Sequence, residues 1–244
     1  MSFIQATTRA GKTIILEQYY APRHNLKGIE RRPNTEDTSE AQEKANAKKA
    51  IRELTIILNA NFGEGDHHLV LDYKPETRPE TPDEAVNDRN IFLRRLRRAY
   101  KKAGIPLKYV ITTEHGTRNK ALHHHLIINN ESASVPPEAI QKLWNKGRVH
   151  FNLLDNTGQY SQLAAYLLKN RKYWKECGGG RQWTRSRNLI RPKTYKTIIR
   201  MDIYYNRPKP RKGMYISPGT ETEGFTKDGF PYRSCIFVEA GNSP

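Results

Sequence analysis

An α+β fold, with an antiparallel central sheet of about four to five strands and helices packed on it, is what this 244-residue sequence predicts. Three observations carry the prediction. Two apolar-alternating runs lie either side of a polar turn between Lys108 and Ile128, the pattern of a β-hairpin. Two further short apolar runs, HHLVLDY at 67–73 and RVHFNLLD at 148–155, read as strands. Between them stand segments of helical period, in the order strand, helix, hairpin, helix, strand, helix, with no internal repeat.

Taken in order, residues 1–37 lack a clear period and carry loop-like pieces such as APRHNLKG and RRPNTED, so an extended arm is expected there. The GKT at 11–13 is not a phosphate loop, because Ala6 stands where that motif needs a glycine. No ATPase or helicase domain is therefore expected. A helix begins near Ser39, with Thr38 or Ser39 as N-cap, and Ala47, Ile51, Leu54 and Leu58 form its apolar stripe until NFGEGD ends it. The next helix, 83–103, turns Val86, Phe92, Leu96 and Tyr100 to the core and stops at Gly104 before Pro106. Its outer face carries Arg94, Arg95, Arg97, Arg98, Lys101 and Lys102, for which solvation is the default explanation and phosphate contact the rarer one. Pro136 and Pro137 open a helix over 136–146, and a last helix spans 159–175 with Leu163, Ala164 and Leu167 inward. Beyond Gly178 the chain is basic, TIIRMDIYY at 197–205 reads as a strand, and residues from Arg207 form a Gly- and Pro-rich extension. The expected division is thus an arm at 1–37, a catalytic domain at 38–206 and an extension at 207–244.

Composition narrows the function classes. Lys and Arg outnumber Asp and Glu 42 to 25, a formal net charge of +17. These cations interleave with aromatics, as in RKYWKE at 171–176 and RQWTRSRNLIRPKTYK at 181–196. That mixture suits a polyanion with unpaired bases that need stacking, so nucleic acid is the expected partner. Arg181, Trp183, Arg185, Arg187 and Lys193 are the candidate DNA contacts, with a packed basic loop as the other reading. Mean hydropathy is −0.83, no apolar run approaches the roughly 18 residues of a membrane span, and no secretion signal opens the sequence. Cys177 and Cys235 are too few for a disulfide framework. A cytoplasmic protein with no membrane partner is expected.

The hairpin concentrates the chemistry. Its second run puts Ala121, His123, His125 and Ile127 on one face and His124, Leu126 and Ile128 on the other. With 115–120 as the turn, Glu114 lies opposite Ala121 and diagonal to His123 on a shared face. Two imidazoles and a carboxylate then converge in a set suited to a divalent cation with open positions. A one-residue slip would send Glu114 to the other face. Taken alone, the strand also fits a solvated or packed histidine cluster. Downstream, Tyr166 and Lys169 are helix neighbours at i and i+3, where a cation favours the phenolate; a tyrosine half-buried against a helix is the plainer account.

HLVLDY (68–73), HHH followed by LII (123–128) and YLLK (166–169) together resemble the three motifs of HUH endonucleases of the rolling-circle replication initiator class. The acidic residue ending YVITTEHG (109–116) matches as well. The flanking text, WNKGRVHFNLLDN and RQWTRSRNLIRP, is similar to that of small initiators of plasmids, integrative elements and single-stranded DNA phages, over roughly residues 40–195. The resemblance implies that His123, His125 and Glu114 hold a metal, Mg²⁺ or Mn²⁺, that Tyr166 is the nucleophile and that Lys169 is its electrostatic support. It further implies nicking and joining of single-stranded or hairpin origin DNA through a 5′-phosphotyrosine, with a host helicase and DNA polymerase as partners. His124 stands where relatives carry a hydrophobe and Asp72 where many carry a hydroxyl. Gln162 and Asn170 occupy the places four residues from Tyr166, so the single-tyrosine type is favoured over one using Tyr173. A conjugative relaxase, a single-strand transposase and a non-catalytic single-strand binder are the alternatives.

Overall fold

The computed structural model describes residues 2–21, 40–115, 121–130, 135–170, 174, 177–178, 183–200, 206–225 and 229–240. In chain order, the elements begin with β1 (Ser2–Ala10), β2 (Thr13–Ala21), α1 (Glu40–Asn61), β3 (His67–Leu71) and α2 (Pro82–Lys102). Next come β4 (Tyr109–His115), β5 (Leu122–Ile128), α3 (Pro137–Leu143), β6 (Val149–Leu153) and α4 (Ser161–Leu167). The remaining strands are β7 (Trp183–Arg185), β8 (Thr194–Ile199), β9 (Met214–Ile216), β10 (Thr222–Phe225) and β11 (Pro231–Glu239). The fold is α+β, as expected, and the strand pairs are antiparallel. No helix among the described residues is long and apolar enough to cross a membrane. The residues that would cap the start of α1, Thr38 and Ser39, lie outside the described residues, as do 201–205 of the strand expected at 197–205.

The chain forms two compact units, residues 1–60 with 191–244 and residues 61–190, a division different from the arm, domain and extension expected. In the first unit the strands run β10-β11-β2-β1-β8, with β9 also paired to β11. Residues 2–21 of the expected arm are a hairpin whose two-residue turn is Gly11-Lys12, so the GKT sequence is a strand connection. Gly11 has φ +56°, and a Cβ there would lie 2.1 Å from the carbonyl oxygen of Asn59 in α1; only glycine suits both demands. The polar alternation of SFIQATTRA hides β1. The run TIIL of β2 is buried on both faces and so does not alternate. Ile15 packs with Ile236, Val238 and Ile56, whereas Ile14 and Leu16 pack with Cys235 and Phe237. The expected extension holds β11, which pairs with β2 from Tyr232↔Tyr19 to Val238↔Thr13.

In the second unit the strand order is β6-β3-β5-β4-β7. One face carries Leu69, Leu71, Tyr109, Ile111, Leu126 and Ile128, which pack on Phe92, Leu93, Leu96 and Tyr100 of α2 and on Ile140 and Trp144 by α3. The α2 stripe follows the helical period, and its start is capped where the Thr81 side chain accepts a hydrogen bond from the Glu84 backbone N–H. Trp144 donates its indole N–H to the Asp72 carbonyl at 2.8 Å, which anchors the segment after α3 to the end of β3. Gly147 crosses the same spot: a Cβ there would stand 2.0 Å from the Asp72 carbonyl oxygen and 2.8 Å from the Tyr73 Cα. Both obstacles are backbone, so Gly147→Ala is expected to destabilise by about 1–3 kcal/mol, the usual cost of overpacking a close contact. Urea denaturation of the variant against the parent chain measures this, and an unchanged midpoint refutes the close approach.

Candidate metal centre

The site is built by the pairing of β4 with β5. Glu114 pairs with His123 and Thr112 with His125. The expected register put Glu114 opposite Ala121, two residues away; because side chains alternate with period two, the shift leaves Glu114 on the face of both histidines. Their donor atoms lie within 4.8 Å of one another, a group that could hold a metal ion. The Nε2 atoms of His123 and His125 each stand 3.0 Å from the same Glu114 oxygen, Oε1. Glu114 and His125 are buried and His123 is partly open to solvent, so the cluster is rigid on the sheet and accessible on one side.

The rings are oriented from behind. Ala121 O accepts from Nδ1 of His123 at 3.3 Å, which leaves Nε2 to face the carboxylate. The Nδ1 atom of His125 is 3.1 Å from Nε2 of His68 on β3. Burial and the neighbouring His125 push His68 down to about 4, so it is neutral at physiological pH. Burial alone would push the Glu114 carboxyl up, but hydrogen bonds from His123 and His125 outweigh it and hold the group at about 2. Burial also opposes charge on His123, yet Glu114 raises it above the usual imidazole range. A neutral His123 would aim its Nε2 lone pair at a carboxylate lone pair; either a proton or a cation must sit between them. The donor set therefore fits a divalent cation, with His68 and Ala121 as outer partners.

His124 points the other way and belongs to the core. Its Nδ1 lies 2.9 Å from Thr113 Oγ1, which accepts from Arg89 Nη1 at 3.1 Å, and its Nε2 lies 2.9 Å from the Tyr73 hydroxyl. Complete burial drives it well below the ordinary histidine range, so it is a neutral packing residue.

Above the open side lies α4, against the sheet face opposite α2 and α3. It is shorter than the 159–175 expected, and the chain closes it with bonds from Leu168 N to Ala165 O and from Lys169 N to Tyr166 O. Such 3₁₀-type turns stack residues i and i+3. Lys169 Nζ accordingly sits 3.8 Å from the Tyr166 ring centre and 3.5 Å from Glu114 Oε1. The Tyr166 ring is 5.2 Å from that of His125, and Tyr166 remains 44% exposed.

Of the candidate DNA contacts, Trp183 and Arg185 lie on β7 and share the metal-site face, because Trp183 pairs with Thr112 and Arg185 with Val110. Arg185 stands over the Trp183 ring at 5.6 Å. Arg187 is exposed in the turn after β7, and Lys193 is exposed in the other unit. Arg181 and Tyr173 lie outside the described residues. Sequence reasoning missed two neighbours. His68 was visible as an alternate position of HHLVL, but only the adjacency of β3 and β5 brings it to His125. Asn170, four residues after Tyr166, donates to His115 O at 2.9 Å and approaches Glu114 Oε2 at 3.4 Å, which fixes the turn over the carboxylate.

Residues 66–171 match the model of a family described as replication-associated proteins of the ORF2 type. The matched segment contains the Glu114, His123 and His125 cluster as well as Tyr166 and Lys169. No curated protein matches the chain.

Mn²⁺ at about a hundred times its Kd is expected to stabilise the protein by about 2.7 kcal/mol, and Glu114→Gln to remove that gain. Apparent affinity should strengthen as pH rises through the raised His123 value, because the ion must displace that proton. Thermal unfolding with and without Mn²⁺, repeated at several pH values, tests both statements; equal stabilisation of the Gln variant would place the ion elsewhere.

Proposed function

We propose that this chain initiates rolling-circle replication as an HUH-type endonuclease that nicks and rejoins single-stranded DNA at an origin. The observation that carries the reading is the placement of Tyr166 and Lys169 beside the His₂Glu cluster, within the segment that matches replication-associated proteins. The single tyrosine, the excess of cations and the Trp183–Arg185 pair on the same face support it.

In this reading the Tyr166 hydroxyl oxygen attacks the scissile phosphorus. A bond forms between that oxygen and phosphorus, the bond from phosphorus to the 3′ oxygen breaks, the phenolic proton is lost to solvent and the departing oxygen takes one up. The products are a 5′-phosphotyrosine and a free 3′-hydroxyl, which a host polymerase can extend after a host helicase opens the duplex. Because the new link retains phosphodiester energy, a 3′-hydroxyl can reverse the step and join the strand. Glu114, His123 and His125 would hold Mg²⁺ or Mn²⁺, which when bound polarises the phosphate oxygens. Lys169, between the carboxylate and the phenol, favours the phenolate and offsets charge at the reacting oxygens. Asn170 holds the turn that carries Lys169. Trp183 supplies a stacking face for an unpaired base, and Arg185 a phosphate contact.

Incubation of the protein with labelled single-stranded DNA from its own replicon and Mn²⁺ should give an adduct that survives denaturation. Tyr166→Phe should abolish the adduct and retain binding, and Lys169→Ala should slow its formation by about 10²-fold. An adduct formed by Tyr166→Phe would exclude Tyr166 as nucleophile. Tight binding with no cut on any native strand would instead make the chain a single-strand binder.

A further inference from the structure

The face of the sheet opposite the metal cluster holds a second polar feature. Between α2 and the β4–β7 edge lies a cleft of about 480 Å³, lined by Arg89, Arg94, Arg97, Asn87, Asn90 and Tyr109 among others. Three guanidinium groups and two side-chain amides surround it, and no carboxylate lines it. Arg89 is 6% exposed, and its Nε has no hydrogen-bond partner among the described residues. Its one described side-chain bond is the neutral one to Thr113. A buried guanidinium without an anion is costly unless something completes it. Arg97 donates to the Tyr109 hydroxyl at 2.6 Å and lies over that ring, so the side chain is held in place while remaining exposed.

The charge does not stop at the cleft. Asn90, Arg94, Arg97 and Lys101 recur at i, i+4, i+7 and i+11, hence along one face of α2. At 1.5 Å per residue the row extends on the order of 16 Å, longer than a single phosphate group needs. The cleft also adjoins the edge strand of the sheet: Thr184 of β7 lines it, while Trp183 and Arg185 on either side of Thr184 point to the metal-site face.

We propose that the α2 cleft and the basic row leading from it bind the phosphates of a DNA strand, as a contact separate from the metal centre and continuous with it round the β7 edge. Arg89 supplies the buried charge, Arg94 and Arg97 the accessible ones, and the asparagines the neutral donors. The arginine run along α2 is then a binding surface as well as a solvated face. The inference takes its partner from the proposed function but not its chemistry, and binding alone reads it.

The test is the salt dependence of binding to a labelled single-stranded oligonucleotide, measured by fluorescence anisotropy for the full chain and for Arg94→Ala/Arg97→Ala. Loss of two phosphate contacts should reduce the slope of log K against log salt by about 1.4, at roughly 0.7 per contact, with weakening similar across sequences. Arg94→Lys should keep the slope. Arg94→Ala alone, at an exposed position, gives the same comparison with a change of about 0.7 and leaves the Arg97–Tyr109 contact intact. An unchanged slope would overturn the proposal. So would inorganic phosphate stabilising the parent chain and not the double variant while the slope stays equal, because the cleft would then be a small-phosphate site. Absence of DNA binding by the parent chain would also overturn it. Failure of the nicking reading would look different, as intact binding with no Tyr166 adduct.

Discussion

The candidate centre depends on a single backbone pairing, Glu114 with His123 across β4 and β5. That pair sets three things together. It places the carboxylate oxygen 3.0 Å from both imidazole Nε2 atoms, it sends His124 into the core, and it leaves Lys169 a charge to reach for. A carboxylate buried this deeply is stable only because its oxygens are engaged from several sides. The sheet beneath is correspondingly stiff, with Leu69, Ile111, Leu126 and Ile128 fully buried on its other face.

Three adjacent histidines thus have divided duties that alternate with the pleat. His123 and His125 face Glu114, whereas His124 links Thr113 to Tyr73 beside Trp144. Chemistry and core meet in one strand, one residue apart. The same alternation recurs at β7, where Trp183 and Arg185 share the face of the metal cluster and Thr184 faces α2. A strand at the edge of a sheet can in this way display different groups to two sides of a molecule.

Much of the second unit was legible because its signals are local. The helical stripe of α2, the hairpin alternation and the i, i+3 spacing of Tyr166 and Lys169 each fall within a short window. The trio survived an error in the expected loop because the error was even. His68 and Asn170 were not legible, since their roles arise from strand adjacency and from a turn. The first unit was largely illegible for a related reason. β2 is covered on both faces and paired to β11, so neither strand shows the pattern of a half-exposed one. A polar, threonine-rich β1 completes the disguise.

The pairing of β2 with β11 also sets an order of events during synthesis. Residues 61–190 contain every strand of their own sheet, so that unit has all its partners once its last residue has left the ribosome. The other unit does not: β2 is made early and its neighbour roughly 200 residues later. At 5–20 residues per second that gap lasts on the order of 10–40 seconds. Throughout it the apolar edge of TIIL has no permanent neighbour, which makes the hairpin rather than the metal-binding sheet the part of the nascent chain most in need of a chaperone.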